Sequence, residues 1–416
     1  MFLLLPLTSF GQVDYYFPPV SGDEWDTYSF EDVGWCDDQL PALLNYLDEQ
    51  ATKAFIVTVD GKIVIEEYFG TFTADSVWLW NSAGKSLTSV LVGIAEQEAL
   101  LNLDDPTSDY LGQGWTSCGS EDEDLITIRH QLMMTSGLDD GVEDPYCTDP
   151  ACLTCIAAPG ERWAYHNGPY TNLDGVISAA TGMSLNMWVF NRITQPTGIT
   201  GVFFPFGYNN VFISKPRSLA RFGSLALNQG NWNGTQIVNS TYAQTMVQPS
   251  QNLNESYGYL WWLNGQDSFM LPGTQFVFNG SAMPNVPDDA YAALGKDGQI
   301  LLVVPSMNLT MVRMGTFADN SLLISNILAN NIWPYLEALM CVNVDESATP
   351  NIYVAPNPSH GQFTIAGVSG NPKTTVFDMA GRKVHEGAGT QLSLDHLQAG
   401  IYFLHVEGSM LRIVIE

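Results

Sequence analysis

The sequence has little positive charge. Its 416 residues include 15 lysines and arginines against 44 aspartates and glutamates, a formal net charge of −29. Such a surface repels phosphate backbones and anionic headgroups, which argues against nucleic acid or acidic membrane as a partner. After a short apolar run at the start, no stretch reaches the roughly 18–20 uninterrupted apolar residues of a membrane span. No internal repeat is visible, and no Gly-x-Ser-x-Gly elbow is present. Cys152 and Cys155 form a Cys-x-x-Cys pair, but no second Cys or His pair stands at zinc-ligand spacing, so no metal site is expected.

Apolar residues make up 45% of the chain and aromatics 12%, enough for a large core. The length suggests two to three domains. The opening "MFLLLPLTSFGQ" reads as the apolar region and cleavage site of a signal peptide, residues 1–11, cut near Gly11-Gln12. Six cysteines behind such a segment suggest disulfides. Cys36 and Cys341 bracket the main domain and are placed to join its first and last helices. Cys118, Cys147, Cys152 and Cys155 cluster and are expected to staple one subdomain.

Helical periodicity in "DDQLPALLNYLDEQ" (37–50) precedes two β-rich runs around Asp60-Gly61, a strong hairpin signal. A long apolar helix follows, "SLTSVLVGIAEQEAL" (86–100). The stretch 100–250 reads as helix and loop, with "IRHQLMMTSGL" a packed helix ending at Gly137. Strand-like runs return at 257–265, 291–305 and 309–315, and a helix over 320–339 closes the region. This order predicts an α+β domain whose antiparallel sheet is split in sequence by a helical insert. A polar linker, 343–351, leads to short alternating strands over 352–416, the pattern of a small all-β sandwich.

The chain has seven lysines, and only Lys85 has a serine three places before it, Ser82. Residues i and i+3 share a helix face, so the amine can reach the hydroxyl and take its proton. At a helix start, the Ser82 N–H is one of the unpaired donors and can stabilise an oxyanion. Two further stretches supply polar groups. "RWAYHNGPY" (162–170) offers Tyr165 and Asn167, a phenol for proton shuttling and an amide for binding. "LGKDGQI" (294–300) offers the Lys296 cation and Gly298, which lets a ligand approach the backbone. His130 and His166 are the only histidines in this region. His166 lies between Tyr165 and Asn167, where its side chain should point away, and His130 reads as a helix residue. Trp78, Trp80, Trp261 and Trp262 are expected chiefly in the core, with one or two lining a cleft.

Taken in order, these residues resemble the serine β-lactamase and penicillin-binding-protein superfamily, most closely its class C and esterase-like branch. Ser82-x-x-Lys85 matches the first motif, Tyr165-x-Asn167 the second, and Lys296-Asp297-Gly298 the third. The departure is Asp297, where threonine is usual. The resemblance covers about residues 38–340, so the hydrolase domain is placed at 12–342. It implies the β-lactamase/transpeptidase-like fold and no cofactor. Ser82 would be the acylated nucleophile, with Lys85 and Tyr165 sharing base and acid work. Asn167 and Lys296 would position substrate, and the N–H groups of Ser82 and Gln299 would form the oxyanion hole. The expected activity is cleavage of an ester or amide by an exported serine hydrolase. The alternative is a non-catalytic or slowly turning over penicillin-binding or sensing module. Residues 352–416 resemble the sorting domain of the type IX secretion system of Bacteroidetes, through "VAPNPSHGQFTI", "VFDMAGRKV", "LQAGIYFLHV" and the ending "LRIVIE". That implies export to the cell surface or medium, with the secretion machinery as partner.

Overall fold

The computed structural model describes residues 15–317, 325–341, 352–368, 370–378, 382–406 and 409–416. The segments read as signal peptide (1–11) and linker (343–351) lie outside the described residues. The chain divides into two compact units, Met1–Cys341 and Val342–Glu416.

In the first unit, helix α1 (Leu40–Glu49) leads into strands β1 (Thr52–Val59) and β2 (Lys62–Tyr68). Asp60 and Gly61 both take positive φ, 50° and 83°, as a tight two-residue hairpin turn requires. A side chain at Gly61 would put its Cβ 1.9 Å from the Tyr16 carbonyl oxygen, so only glycine fits. Strands β3 (Trp262–Leu263), β4 (Tyr291–Gly295), β5 (Gln299–Val304) and β6 (Leu309–Gly315) complete a six-stranded sheet in the order β2-β1-β6-β5-β4-β3. Every pair in it is antiparallel. β5 is buried at every position, because helices cover both faces of the sheet.

Helix α2 (Gly84–Gln97) is buried from Gly84 to Ala95, which explains its nearly unbroken run of small and apolar residues. It packs on α3 (Asn167–Thr181), while α4 (Pro216–Leu227) lies against β1, β5 and β6. α5 (Ser325–Leu339) packs with α1 on the opposite face, where Tyr46 and Tyr335 stack at 4.6 Å. The fold is the expected α+β class, with the sheet strands separated in sequence by the insert.

Some boundaries differ from the sequence reading. The helix predicted over 128–138 spans only Ile128–Leu132, because Met134 turns left-handed and the Thr135 N–H bonds to the His130 carbonyl. The run 257–265 contributes only Trp262–Leu263 to the sheet, since Leu260 takes a φ of 62°. A hairpin, Val202–Phe206 with Asn209–Ser214, stands inside the stretch read as helix and loop.

Three disulfides form: Cys36–Cys341, Cys118–Cys155 and Cys147–Cys152. The second unit has two antiparallel sheets. One holds Tyr353–Ala355, Gln362–Ala366 and Gln391–Ser393, and the other Lys373–Phe377, Lys383–Ala388, Gly400–Val406 and Ser409–Ile415. Phe363, Ile365, Val376, Leu392, Leu404 and Ile413 form its own core.

The Cys36–Cys341 bridge closes a loop of 305 residues around the first unit. Replacing both cysteines by serine is expected to lower stability by about 2–5 kcal/mol. A urea titration checks this: the midpoint should fall, and the slope should rise because the unfolded chain loses its cross-link and exposes more surface.

Candidate active site

The site begins with how the chain enters α2. Trp80 is fully buried against the rings of Phe212 and Phe222, and its indole N–H donates to Ser214 Oγ at 2.7 Å. Asn81 then takes a left-handed φ of 50°, a strained state for a residue with a side chain. A 3₁₀ turn, Asn81–Ala83, runs directly into α2. Ser82 is half-buried on this first turn, and Lys85 follows one turn on, buried to 4% exposure.

α3 brings the partners. Tyr165 lies just before the helix and Asn167 is its first residue. The Tyr165 phenol and the Ser82 hydroxyl both face the same cavity. Lys85 Nζ donates to Asn167 Oδ1 at 2.8 Å and sits 3.5 Å from the ring centroid of Tyr170 and 5.5 Å from that of Tyr165. Burial in this aromatic cage pushes the amine down to about 7, against a weaker upward pull from the Asp174 charge. Burial pushes the Tyr165 phenol well up, offset in part by the nearby Ser82 hydroxyl. Asp174 is itself pushed up to about 7 by burial, with Asn210 and Lys85 opposing.

A cavity of about 390 Å³ opens over this group and reaches Ser82, Tyr165 and Asn167. Its walls are largely apolar: Tyr146, Trp262, Leu271, Pro272, Leu294 and Phe317. Trp262 stacks on Tyr165 at 5.7 Å and is the one tryptophan of the expected four that lines it. His166 is buried away from the cavity, where burial pushes it down to about 4. His130 caps its own short helix through Thr127. Among the described residues no His, Cys, Asp and Glu cluster is arranged to hold a metal ion.

The third stretch divides. Lys296 and Asp297 line the cavity, Lys296 exposed at its rim. Gly298 and Gln299 do not line it. Gly298, at φ 71°, makes room for Arg313 instead of a ligand: an added Cβ would lie 2.4 Å from Arg313 Nη1. That guanidinium donates to the Asp297 and Gly298 carbonyls, both at 2.8 Å. The Gln299 side chain is fully buried and pairs with the backbone of Gly315 in both directions, at 2.7 and 3.1 Å. The glycine packed against the Ser82 turn is Gly295, three places earlier. A Cβ there would fall 2.3 Å from the Trp80 carbonyl oxygen and 3.0 Å from the Ala83 nitrogen. Beside it, Asn81 Nδ2 donates to the Lys296 carbonyl at 2.8 Å, joining the two turns. "ALG" directly precedes Lys296 in the sequence and was the available signal. Tyr170 and Asp174 had none beyond their spacing along α3.

Gly295→Ala is therefore expected to displace the Ser82 turn. The rate of fluorophosphonate labelling at Ser82 should fall by about a hundredfold, the effect of a misplacement near 1 Å. Intact-protein mass spectrometry over time checks this, and labelling at the wild-type rate would show that the turn tolerates the added methyl.

Comparison with known proteins gives the same frame. The family model described as Beta-lactamase matches residues 46–321, and the Secretion system C-terminal sorting domain matches residues 351–415. An uncharacterised protein of Alkalihalophilus pseudofirmus is 27% identical over 306 residues, covering 64% of this chain and 84% of that protein. Similar folds include a protein of Bacillus anthracis provisionally named as a 6-aminohexanoate-dimer hydrolase (TM-score 0.59, 21% identity, 79% of this chain and 91% of that one). A penicillin-binding protein homologue from Caulobacter crescentus aligns with TM-score 0.56 and 14% identity, over 73% and 98% of the two chains. A family VIII carboxylesterase aligns with TM-score 0.55 and 16% identity, over 76% and 99%. The chain belongs to the β-lactamase family and carries behind that domain a type IX sorting domain, which marks it for export to the cell surface or medium.

Proposed function

We propose that this exported protein is a serine hydrolase that cleaves an ester or amide through an acyl-enzyme on Ser82. The observation that carries the reading is a single cavity that reaches Ser82, Tyr165 and Asn167, with the Lys85 amine one turn after Ser82, bound to Asn167 at 2.8 Å and pushed down to about 7 by burial. Near neutral pH a substantial fraction of Lys85 is then unprotonated and able to act as a base. The similar folds named as a carboxylesterase and a 6-aminohexanoate-dimer hydrolase support hydrolysis as the class of reaction.

In the first half-reaction the Ser82 O–H bond breaks as Oγ bonds to the substrate's carbonyl carbon. The proton passes toward Lys85 by way of Tyr165, whose raised pKa keeps the phenol protonated between transfers. The carbonyl oxygen becomes an oxyanion. The N–H groups of Ser82 and Lys296 are the donors for it, in place of the Gln299 N–H expected from the sequence. Gly295 holds the Lys296 turn against that of Ser82, and Gln299 lies outside the cavity. Collapse breaks the bond to the leaving group, which takes the proton. Water then attacks the acyl-enzyme by the same route in reverse, releasing the acid and restoring Ser82. The apolar walls favour an apolar acyl or leaving group.

Ser82→Ala is expected to abolish labelling by a fluorophosphonate or fluorescent penicillin. Lys85→Ala and Tyr165→Phe should each slow p-nitrophenyl acetate acylation about 10²- to 10⁴-fold. Burst kinetics check both, and wild-type rates in either variant would remove that residue from the mechanism. Stable label with no turnover would favour the penicillin-binding or sensing module.

The pH dependence has a definite sign. An ammonium cannot accept a proton, so kcat/KM for the same ester should be low below pH 6 and rise through about pH 7. A flat profile from pH 5 to 9 would rule out Lys85 as the base.

A further inference from the structure

The face that α3 turns toward α2 carries a charged group for which the acylation scheme has no use. Asn167, Tyr170 and Asp174 recur at three- and four-residue steps and share one side of the helix. The first two hold Lys85: Asn167 by its hydrogen bond of 2.8 Å, and Tyr170 by its ring face 3.5 Å from Nζ. Asp174 is next in the row. Its Oδ2 accepts from Asn210 Nδ2 at 2.8 Å, but its Oδ1 is buried with no hydrogen-bond partner. A carboxylate oxygen left in this state is costly unless a cation's field reaches it.

Of the other elements packed on α3, Ser108–Leu111 carries Asp109 and Ile128–Leu132 carries Arg129 and His130, and none of these acts on Lys85 or Asp174. On α2, Thr88 shares a hydrogen bond with the Tyr170 hydroxyl at 3.1 Å. Tyr165 and Tyr257 face the group as neutral phenols, and the hairpin strand Asn209–Ser214 supplies the Asn210 amide. Among the described residues, Asp174 is the one charge that acts on Lys85, and Lys85 the one that acts on Asp174.

We propose that Asp174 is a positioning residue for the reaction at Ser82: it is the counter-charge, set behind Tyr170, that decides the pH at which Lys85 gives up its proton. The inference rests on reading Lys85 as the base. Burial alone favours the neutral amine and the neutral acid. Each group's charge favours the charged form of the other, so the two titrate as a coupled pair. Without the carboxylate, burial of the amine is unopposed and Lys85 loses its proton at lower pH.

Two measurements on the full chain test this. The first is direct titration of Lys85 by NMR of the protein labelled with ¹³C at lysine Cε, with Lys85→Met to assign the resonance. Asp174→Asn keeps an oxygen for Asn210 but removes the charge. It is expected to move the Lys85 midpoint down by about half to one pH unit. An unmoved or raised midpoint overturns the proposal. Should Asp174→Asn fail to fold, Asn210→Ala serves in its place. It removes the bond that favours the carboxylate and should shift Lys85 in the same direction, with an unmoved midpoint again counting against the idea.

The second measurement is the acid limb of kcat/KM, which should follow the NMR midpoint to lower pH. If the midpoint moves while the limb stays, the counter-charge stands and Lys85 is not the base. That outcome overturns the acylation scheme and, with it, Asp174's place in the reaction. A rate loss with neither midpoint nor limb displaced marks Asp174 as a structural residue only.

Discussion

The site depends on keeping one primary amine out of water. In the proposed reaction Lys85 serves as a base only while desolvation holds it near neutrality, and that requires a helix which cannot shift to let its side chain reach solvent. α2 is pinned along its length. Ser86 Oγ donates to the Leu260 carbonyl at 2.7 Å, the Tyr242 hydroxyl to the Ser89 carbonyl at 2.8 Å, and the Trp188 indole to the Leu91 carbonyl at 3.2 Å. Gly93 lies so close under Tyr242 that a Cβ would meet its ring at 2.3 Å. With the backbone fixed, the amine has an amide and aromatic faces for company, which satisfy it without supplying a carboxylate in direct contact.

The second constraint is the turn that presents Ser82. A residue at φ 50° costs free energy of order 1–3 kcal/mol and persists only where its surroundings over-determine it. Here the surroundings form a chain of contacts leading back to Arg313. Its buried guanidinium uses five hydrogen bonds, to Thr52 Oγ1 and the carbonyls of Gln50, Asp297, Gly298 and Thr316. Two of those carbonyls belong to the turn after β4. That turn is held by Asn81 through the Lys296 carbonyl, and Asn81 is the residue before Ser82. The charge of Arg313 is thus used outside the cavity, behind Asp297, to set the shape of its rim.

The sequence carried the architecture through local signals. Asp60-Gly61 marked its hairpin, the apolar run after Ser82 marked a buried helix, and the alternation after residue 352 marked a separate β unit. The placement of Ser82 and Lys85 on one turn was legible from their i, i+3 spacing, while Tyr165 and Asn167 stood out through the motif resemblance. The third stretch was read three residues late. Lys296-Asp297-Gly298 has the look of a binding turn, but whether a glycine faces a cavity or a buried arginine is decided by strand pairing, here Gly295 with Gln299. No local pattern reports a tertiary contact of that kind. Asp174 was invisible for the same reason: an aspartate seven residues after Asn167 on a helix is ordinarily a solvated side chain.

The disulfides complete the argument about where rigidity is needed. Cys118–Cys155 and Cys147–Cys152 both lie in the region that sends Asp140, Pro145 and Tyr146 to the cavity wall, a stretch with little regular structure of its own. Its apolar core is small, Trp115, Ile126, Leu138 and Leu153 with Cys118 packed against them, and the cross-links reinforce it. The third bridge, Cys36–Cys341, ends at the last residue of the first unit. Its closure therefore involves nothing beyond Cys341, and the second unit folds around apolar residues of its own. Every covalent and packing constraint on Lys85 and Ser82 named above lies within Met1–Cys341.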